Sequence, residues 1–151
     1  MRQQIQKSSQ FAVVEKTPRT AELDLVVPFT TPELTQVALN AAERMGQGLQ
    51  AAVRLIKLEV VPFPLDLEHP PVPVDFLKEQ LEHFESTLPI TREVRLTREL
   101  KPGLLDALRR DSVVILATRW RPWSTLNERL AGWLRRAGFK VLLVPEKRQN
   151  A

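Results

Sequence analysis

The stretch Glu22-Leu-Asp-Leu-Val-Val-Pro-Phe29, followed by Thr30 and then Thr31-Pro-Glu33, decides the fold. Its first part is rich in Leu and Val, which predicts a strand that becomes fully apolar near its end. Thr31 can cap a helix and Pro32 suits the first helical position, so we expect a helix directly after this strand. Apolar residues then follow at helical spacing until Gly46, which offers a stop.

The same alternation of strand and helix continues along the chain. Four more strands are predicted at residues 49–61, 91–97, 112–117 and 139–144. Three more helices are predicted at residues 74–86 and 102–108 and in the stretch that ends at Gly138, whose apolar stripe comprises Leu126, Leu130, Trp133, Leu134 and Ala137. Strands that are apolar on both faces and alternate with helices are typical of a parallel sheet covered on two sides. With right-handed crossovers, the sequence predicts an α/β fold with a doubly wound five-stranded parallel sheet and helices on both faces.

Length and composition exclude several classes of protein. The 151 residues are 43% hydrophobic and contain no cysteine, which suits one domain with a real core and excludes a disulfide scaffold or a thiolate metal site. No segment approaches the roughly 18 apolar residues of a membrane span, and residues 1–10 lack the apolar segment of a secretory signal. We expect a cytoplasmic protein without membrane insertion. Residues 1–20 are predicted to be a polar tail or linker, 21–146 the α/β domain and 147–151 a tail.

The net charge of +4 is unevenly distributed. From Arg98 onward the chain has 12 Lys and Arg residues against 5 Asp and Glu residues. A basic end can meet phosphates, anionic lipid or an acidic partner, or it can be a solvated helical face. Arg135-Arg136 raises nucleic-acid binding as a further possibility, but no nucleic-acid-reading motif accompanies it, so the sequence disfavours this partner.

A ligand of a doubly wound sheet usually sits beyond the carboxyl ends of the strands, where the winding reverses. Here those ends are followed by Thr30, Thr31 and the stretch from Ala117 to Thr125. Arg119 and Arg121 could pair with a phosphate or carboxylate, or they could remain solvated while the neighbouring tryptophans cover the sheet. Thr31 could contact a ligand or cap its helix.

Three stretches resemble the universal stress protein (UspA-like) family. They are Leu25-Val-Val-Pro-Phe-Thr-Thr-Pro-Glu-Leu34, Ser112-Val-Val-Ile-Leu-Ala-Thr-Arg119, and Leu126-Asn-Glu-Arg-Leu130 with Phe139-Lys-Val-Leu-Leu-Val-Pro145. The resemblance covers about residues 22–145. It implies the fold derived above, a role in stress responses and a homodimer.

The resemblance also implies where a nucleotide would bind, and the chain departs from the family there. Thr30 stands where nucleotide-binding members carry Asp, and Ala117–Thr125 contains no glycine where they carry a glycine-rich phosphate loop. Ser124-Thr125 matches the end of that loop, where a helix N-terminus still favours an anion. Leu58 would line the base pocket. The candidate ligand-binding residues are therefore Thr30, Thr31, Leu58, Thr118, Arg119, Arg121, Ser124 and Thr125, but ATP or AMP is disfavoured as a cofactor.

We expect a regulatory or interaction domain that is neither catalytic nor ATP-binding. A homodimer is predicted through the last strand, whose apolar edge would otherwise stay open: Lys140, Val141, Leu142, Leu143 and Val144. The protein partner is not identified by the sequence. Glu79 and His83 have metal-ligand spacing but suit a solvated helical face, so no metal site or catalytic residue is predicted. One alternative is nucleotide or other anion binding at the carboxyl ends of the first and fourth predicted strands, at residues 22–29 and 112–117. Another is a cytoplasmic domain of a larger membrane transporter.

Overall fold

The computed structural model describes residues 10–14, 23–119 and 125–146, which contain six strands and four helices. The strands are β1 (Gln10–Val14), β2 (Leu23–Pro28), β3 (Ala51–Val60), β4 (Ile90–Thr97), β5 (Val113–Thr118) and β6 (Lys140–Pro145). The helices are α1 (Pro32–Gly46), α2 (Val74–Glu82), α3 (Leu100–Ala107) and α4 (Leu126–Arg136).

The strands form one sheet in the order β1-β4-β3-β2-β5-β6, and β2 to β6 are all parallel. From β2 the chain winds outward through β3 to β4, and it then crosses back to β5 and β6 on the other side. Buried residues of α1 and α2 pack on one face of the sheet, and those of α3 and α4 pack on the other. The predicted doubly wound α/β fold is therefore confirmed, with the winding reversing between β2 and β5.

β1 is a sixth strand that was not predicted from the sequence. It runs antiparallel to β4, with Gln10 opposite Thr97 and Val14 opposite Glu93. These five residues fall within residues 1–20, for which a tail or linker was predicted. Their sequence is too short to show a period, and the strand exists because β4 offers an edge to pair with. The remainder of residues 1–20 lies outside the described residues, and so does the tail predicted at 147–151.

Local signals set the ends of α1 as predicted. The Thr31 hydroxyl accepts a hydrogen bond from the backbone N–H of Leu34 at 3.2 Å, and Pro32 occupies the first turn. The helix ends at Gly46. A Cβ at this glycine would lie 2.6 Å from Leu88 and 2.9 Å from Ala51, so a side chain there would collide with the core. Gly46 is thus needed for close packing as well as for ending the helix.

Two hydrophobic cores hold the helices to the sheet. Leu39 of α1 and Leu55 of β3 are fully buried in the core on one face, and Leu104 and Leu134 are fully buried in the core on the other. Each such side chain contributes roughly 1.5–3 kcal/mol through its removal from water. In the described part of the chain, no helix is both long and apolar enough to span a bilayer.

Candidate functional site

An open cleft of about 1100 Å³ lies at the point where the winding reverses. Thr30 and Thr31, after β2, and Arg119, after β5, line one side, and the α4 N-terminus with Thr125 lines another. The amino end of α3 closes the third side with Leu100 and Lys101. The fold thus brings four of the predicted ligand-binding residues into one cleft.

Both threonines predicted at helix starts serve as helix caps. Thr31 caps α1, and the Thr125 hydroxyl accepts a hydrogen bond from the backbone N–H of Glu128 at 3.2 Å. The backbone N–H of Thr30 donates to the Thr35 hydroxyl at 3.0 Å. These groups hold the walls of the cleft in place, because they fix the chain where each strand passes into its helix.

A carboxylate occupies the amino end of α4. Glu128 reaches back to accept from the backbone N–H of Thr125 at 3.2 Å and from its hydroxyl at 3.1 Å, which completes a capping box. The Thr118 hydroxyl lies 3.0 Å from the Thr125 hydroxyl and 3.3 Å from the Glu128 carboxylate. Thr118 therefore connects the end of β5 to this cap. The Glu128 charge also compensates the positive end of the helix dipole.

Arg119 is held next to a second carboxylate. Its Nε lies 3.4 Å from the Glu146 carboxylate, and the backbone N–H of Glu146 donates to the Thr118 carbonyl at 2.8 Å. The Arg119 side chain is 39% exposed, but its Nε is buried without a hydrogen-bond partner among the described residues. The outer part of its guanidinium is thus accessible from the cleft.

Leu58, another candidate, is not among the residues that line this cleft. Leu58 is half-buried on β3, where it packs against the core beneath α3 and α4. Its position is explained by core packing, the alternative that residue type alone left open. Arg121 and Ser124 lie outside the described residues, so their predicted contacts stay predictions.

Three further cationic residues of the cleft were not predicted from the sequence. Lys101, Arg129 and Arg136 line it together with Leu126 and Trp133. The spacing of the four α4 residues, at 126, 129, 133 and 136, places them on one side of a helix and was a usable signal. Leu126 was expected in the apolar stripe of this helix, but it is 79% exposed and lines the cleft. Trp133 is half-buried, with the Lys101 ammonium 5.1 Å from its ring centre.

A second polar cluster lies inside the molecule, away from the cleft. Arg54 on β3 donates from Nε and Nη2 to both carboxylate oxygens of Asp24 at 2.9 and 2.8 Å. Its Nη1 donates to the Ala107 carbonyl at 2.9 Å, and the Ser112 hydroxyl donates to Asp24. Burial raises the pKa of Asp24, but the hydrogen bonds from Arg54 and Ser112 outweigh burial and hold that pKa below its ordinary value. These groups satisfy one another, so we assign them a structural role.

In comparisons with known proteins, no family model matches this chain and no curated protein is similar to it. The resemblance to universal stress proteins therefore depends on the residues quoted above, and family membership stays a prediction.

Proposed function

We propose that this chain is a cytoplasmic, universal-stress-protein-like domain that acts in regulation or interaction without catalysis and without binding ATP. The fold and the position of the cleft support this proposal. Doubly wound sheets present their binding sites where the winding reverses, and the cleft between the ends of β2 and β5 lies there.

The Glu128 carboxylate at the amino end of α4 is the observation that carries the proposal. A phosphate bound in the family manner needs free backbone N–H groups at this end of the helix. Here the Thr125 and Glu128 side chains already accept from N–H groups of this turn. A phosphate bound at this end of α4 would also lie next to the negative charge of the Glu128 carboxylate, and this repulsion disfavours binding. We therefore expect this end of α4 not to hold the phosphates of ATP.

The side chains of the cleft also support a role without catalysis. Its titratable residues in the described part are Lys101, Arg119, Arg129, Arg136 and Glu128. General acid–base chemistry needs a proton-transferring group free to reach the substrate. The Glu128 carboxylate is engaged in the capping box, and the other four are cations suited to holding an anion.

Thermal unfolding with and without nucleotides tests the proposal. ATP, AMP and cyclic dinucleotides, each with Mg²⁺, are expected to leave the midpoint unchanged. A ligand present at about 100 times its dissociation constant would stabilise the fold by roughly 2.7 kcal/mol, a shift of several degrees. Such a shift with any nucleotide would contradict the proposal.

The Glu128→Gln variant tests whether the Glu128 charge is what prevents phosphate binding. It removes the charge and keeps a side chain that can complete the capping box. A nucleotide-dependent shift in this variant alone would support the carboxylate as the group that excludes phosphate. If neither protein responds, regulation through a protein partner remains the account to pursue.

We further propose a homodimer formed through β6. Val141, Leu142, Leu143 and Val144 are each partly exposed, and in the described structure this strand has a neighbour on one side only. An apolar edge strand of this kind tends to pair with another chain.

A further inference from the structure

Four large apolar side chains of α3 and α4 line the cleft. Leu100, at the start of α3, is 45% exposed, and Leu126, at the start of α4, is 79% exposed. Leu130 and Trp133 also line the cleft and are half-buried. Large exposed apolar side chains that converge on a concave surface mark ligand grooves more often than ordinary surface.

Three cations surround these apolar side chains. The Lys101 ammonium lies over the Trp133 ring, and the Arg136 guanidinium folds against Gly132, where an added Cβ would lie 3.6 Å from Nη1. Arg129 is exposed on the same helix. No carboxylate of residues 23–119 or 125–146 pairs with Lys101, Arg129 or Arg136. Their charge is available to an anion entering the cleft.

The two helix N-termini at the cleft differ in how they are capped. The α4 end is closed by its capping box, but α3 has no side-chain cap at Glu99 and no acidic residue in its first turn. Lys101 belongs to that first turn. Glu99, the N-cap residue of α3, does not line the cleft, whereas Lys101 does, so the charge that this end of α3 presents to the cleft is positive.

We propose that this cleft binds a single-chain anionic amphiphile. Lys101, Arg129 and Arg136 would hold its carboxylate or phosphate head, and Leu100 and Leu126 would cover its aliphatic chain. A nucleobase is a poorer occupant, because the one side-chain amide among the described residues of the cleft, that of Asn127, is buried and already donates to the Ala117 carbonyl at 2.6 Å. The concave shape favours a small molecule over a membrane surface. This inference goes beyond the proposed function and can fail without it.

Isothermal titration calorimetry with ten-carbon probes, kept below their micelle-forming concentrations, tests the inference. Decanoate, decyl phosphate or both should bind, and their ratio tells which head group the site prefers. Decyltrimethylammonium tests the charge and inorganic phosphate tests the need for a chain. Each should bind at least about tenfold more weakly, the equivalent of losing roughly 1.4 kcal/mol. Equal binding of the cationic probe would overturn the inference.

Variants at exposed positions locate the site without disturbing the core. The double variant Lys101→Gln and Arg136→Gln should weaken decyl phosphate binding roughly fivefold, given the modest strength of exposed ion pairs. Leu126→Asn should weaken it further by removing chain contacts. Arg110→Gln changes an exposed arginine away from the cleft and should leave binding unchanged. Equal losses in all three proteins would contradict this site.

Two further arms separate the possible failures. If the protein binds vesicles containing anionic phospholipid but neither decyl anion, the basic surface meets a membrane and the inference is wrong. If ATP shifts the unfolding midpoint while the decyl anions do not bind, both proposals fail. If nothing binds, only the amphiphile inference is lost.

Discussion

At the scale of single residues, Arg54 is a buried charge held by several hydrogen bonds. Its side chain is 4% exposed, and that of its partner Asp24 is 8% exposed. Removing two charges from water costs several kcal/mol per ion, and only good geometry repays that cost. The paired hydrogen bonds to Asp24 provide it, and the bond to the Ala107 carbonyl satisfies an otherwise unpaired acceptor at the end of α3. Arg54 thus fastens α3 to the centre of the sheet.

Replacing Asp24 with Asn should lower the free energy of unfolding by roughly 1.5–3 kcal/mol, because it removes the charged partner of two Arg54 hydrogen bonds and leaves Glu93, whose carboxylate lies 3.5 Å from Nη1, as the remaining counter-ion. Urea unfolding at neutral pH measures this change. Asp111→Asn provides the control, since Asp111 is exposed and a surface change of this kind stays within about 0.5 kcal/mol. A loss of similar size in both variants would show that the buried pair is not special.

The Asp24–Arg54 pair also predicts how the free energy of unfolding changes at acidic pH. The folded-state pKa of Asp24 lies below its ordinary value of 3.8, so the unfolded chain binds the proton first as the pH falls. The stability that Asp24 contributes is fully present above about pH 4 and is lost as the pH falls through the folded-state pKa. The difference between wild type and Asp24→Asn should therefore shrink below about pH 4. A constant difference down to about pH 2 would contradict this assignment.

The sequence indicates that Asp24 and Arg54 are unusual, but it does not predict that they contact each other. Asp24 is the one charged residue of β2, and Arg54 lies in the apolar first half of β3, which is a sign of a buried partner. They lie 30 residues apart, and their contact depends on the register that aligns Val26 with Arg54. That register emerges only from the assembled sheet.

At the scale of elements, two helix glycines should respond oppositely to the same substitution. A Cβ at Gly103 in α3 would lie 2.7 Å from the Thr97 hydroxyl, whereas one at Gly132 in α4 would lie 3.6 Å from the end of a flexible arginine. Gly103→Ala should therefore destabilise the fold by roughly 1–3 kcal/mol through overpacking. Gly132→Ala should stabilise it by about 0.5–1 kcal/mol, because alanine favours the helix. Thermal and urea unfolding measure both, and a loss at Gly132 would refute the difference.

The capping box of α4 makes a separate prediction. Thr125→Ala removes the hydroxyl that accepts from the Glu128 N–H, and it should lower the free energy of unfolding by about 1 kcal/mol. Thr125→Ser keeps a hydroxyl and serves as the matched control. We expect urea unfolding to show the loss in the alanine variant alone. Equal stability of the two variants would mean that this cap is dispensable.

Elements whose signals are local were predictable from sequence, and those that depend on partners were not. The start of α1 follows from Thr31 and Pro32, which act on their own helix. β1 arises only from pairing with β4. Leu126 satisfies the helical period of α4, but it lies beyond the edge of the core, which a period cannot reveal.

At the scale of the whole molecule, the order of strands and helices was enough to predict where the cleft lies. Alternating strands and helices, wound right-handedly in two directions, bring the ends of β2 and β5 together. Thr30, Thr31, Arg119 and Thr125 were therefore found at the cleft from topology alone. Lys101 was not, because its place there depends on how the crossover through α3 lies across the sheet.

The open edge of β6 predicts the state of the whole assembly. Side chains of this strand pack onto both cores, so its apolar positions are fixed while its outer backbone groups face away from β5. The Glu146 N–H donates to the Thr118 carbonyl on β5, and N–H groups alternate in direction along a strand. Those of Val141 and Leu143 therefore point outward, where a second copy can accept them.

Sedimentation at micromolar concentration should show a dimer, and Leu143→Pro should give a monomer, since proline removes an outward donor and is tolerated at a sheet edge. Circular dichroism must show that this variant keeps its fold. Val141→Pro repeats the test two residues earlier if it does not. A wild-type monomer, or a folded proline variant that still forms dimers, would show that β6 is not the interface. If both proline variants are folded monomers, β6 of one chain pairs with β6 of a second chain and the two sheets form one continuous sheet.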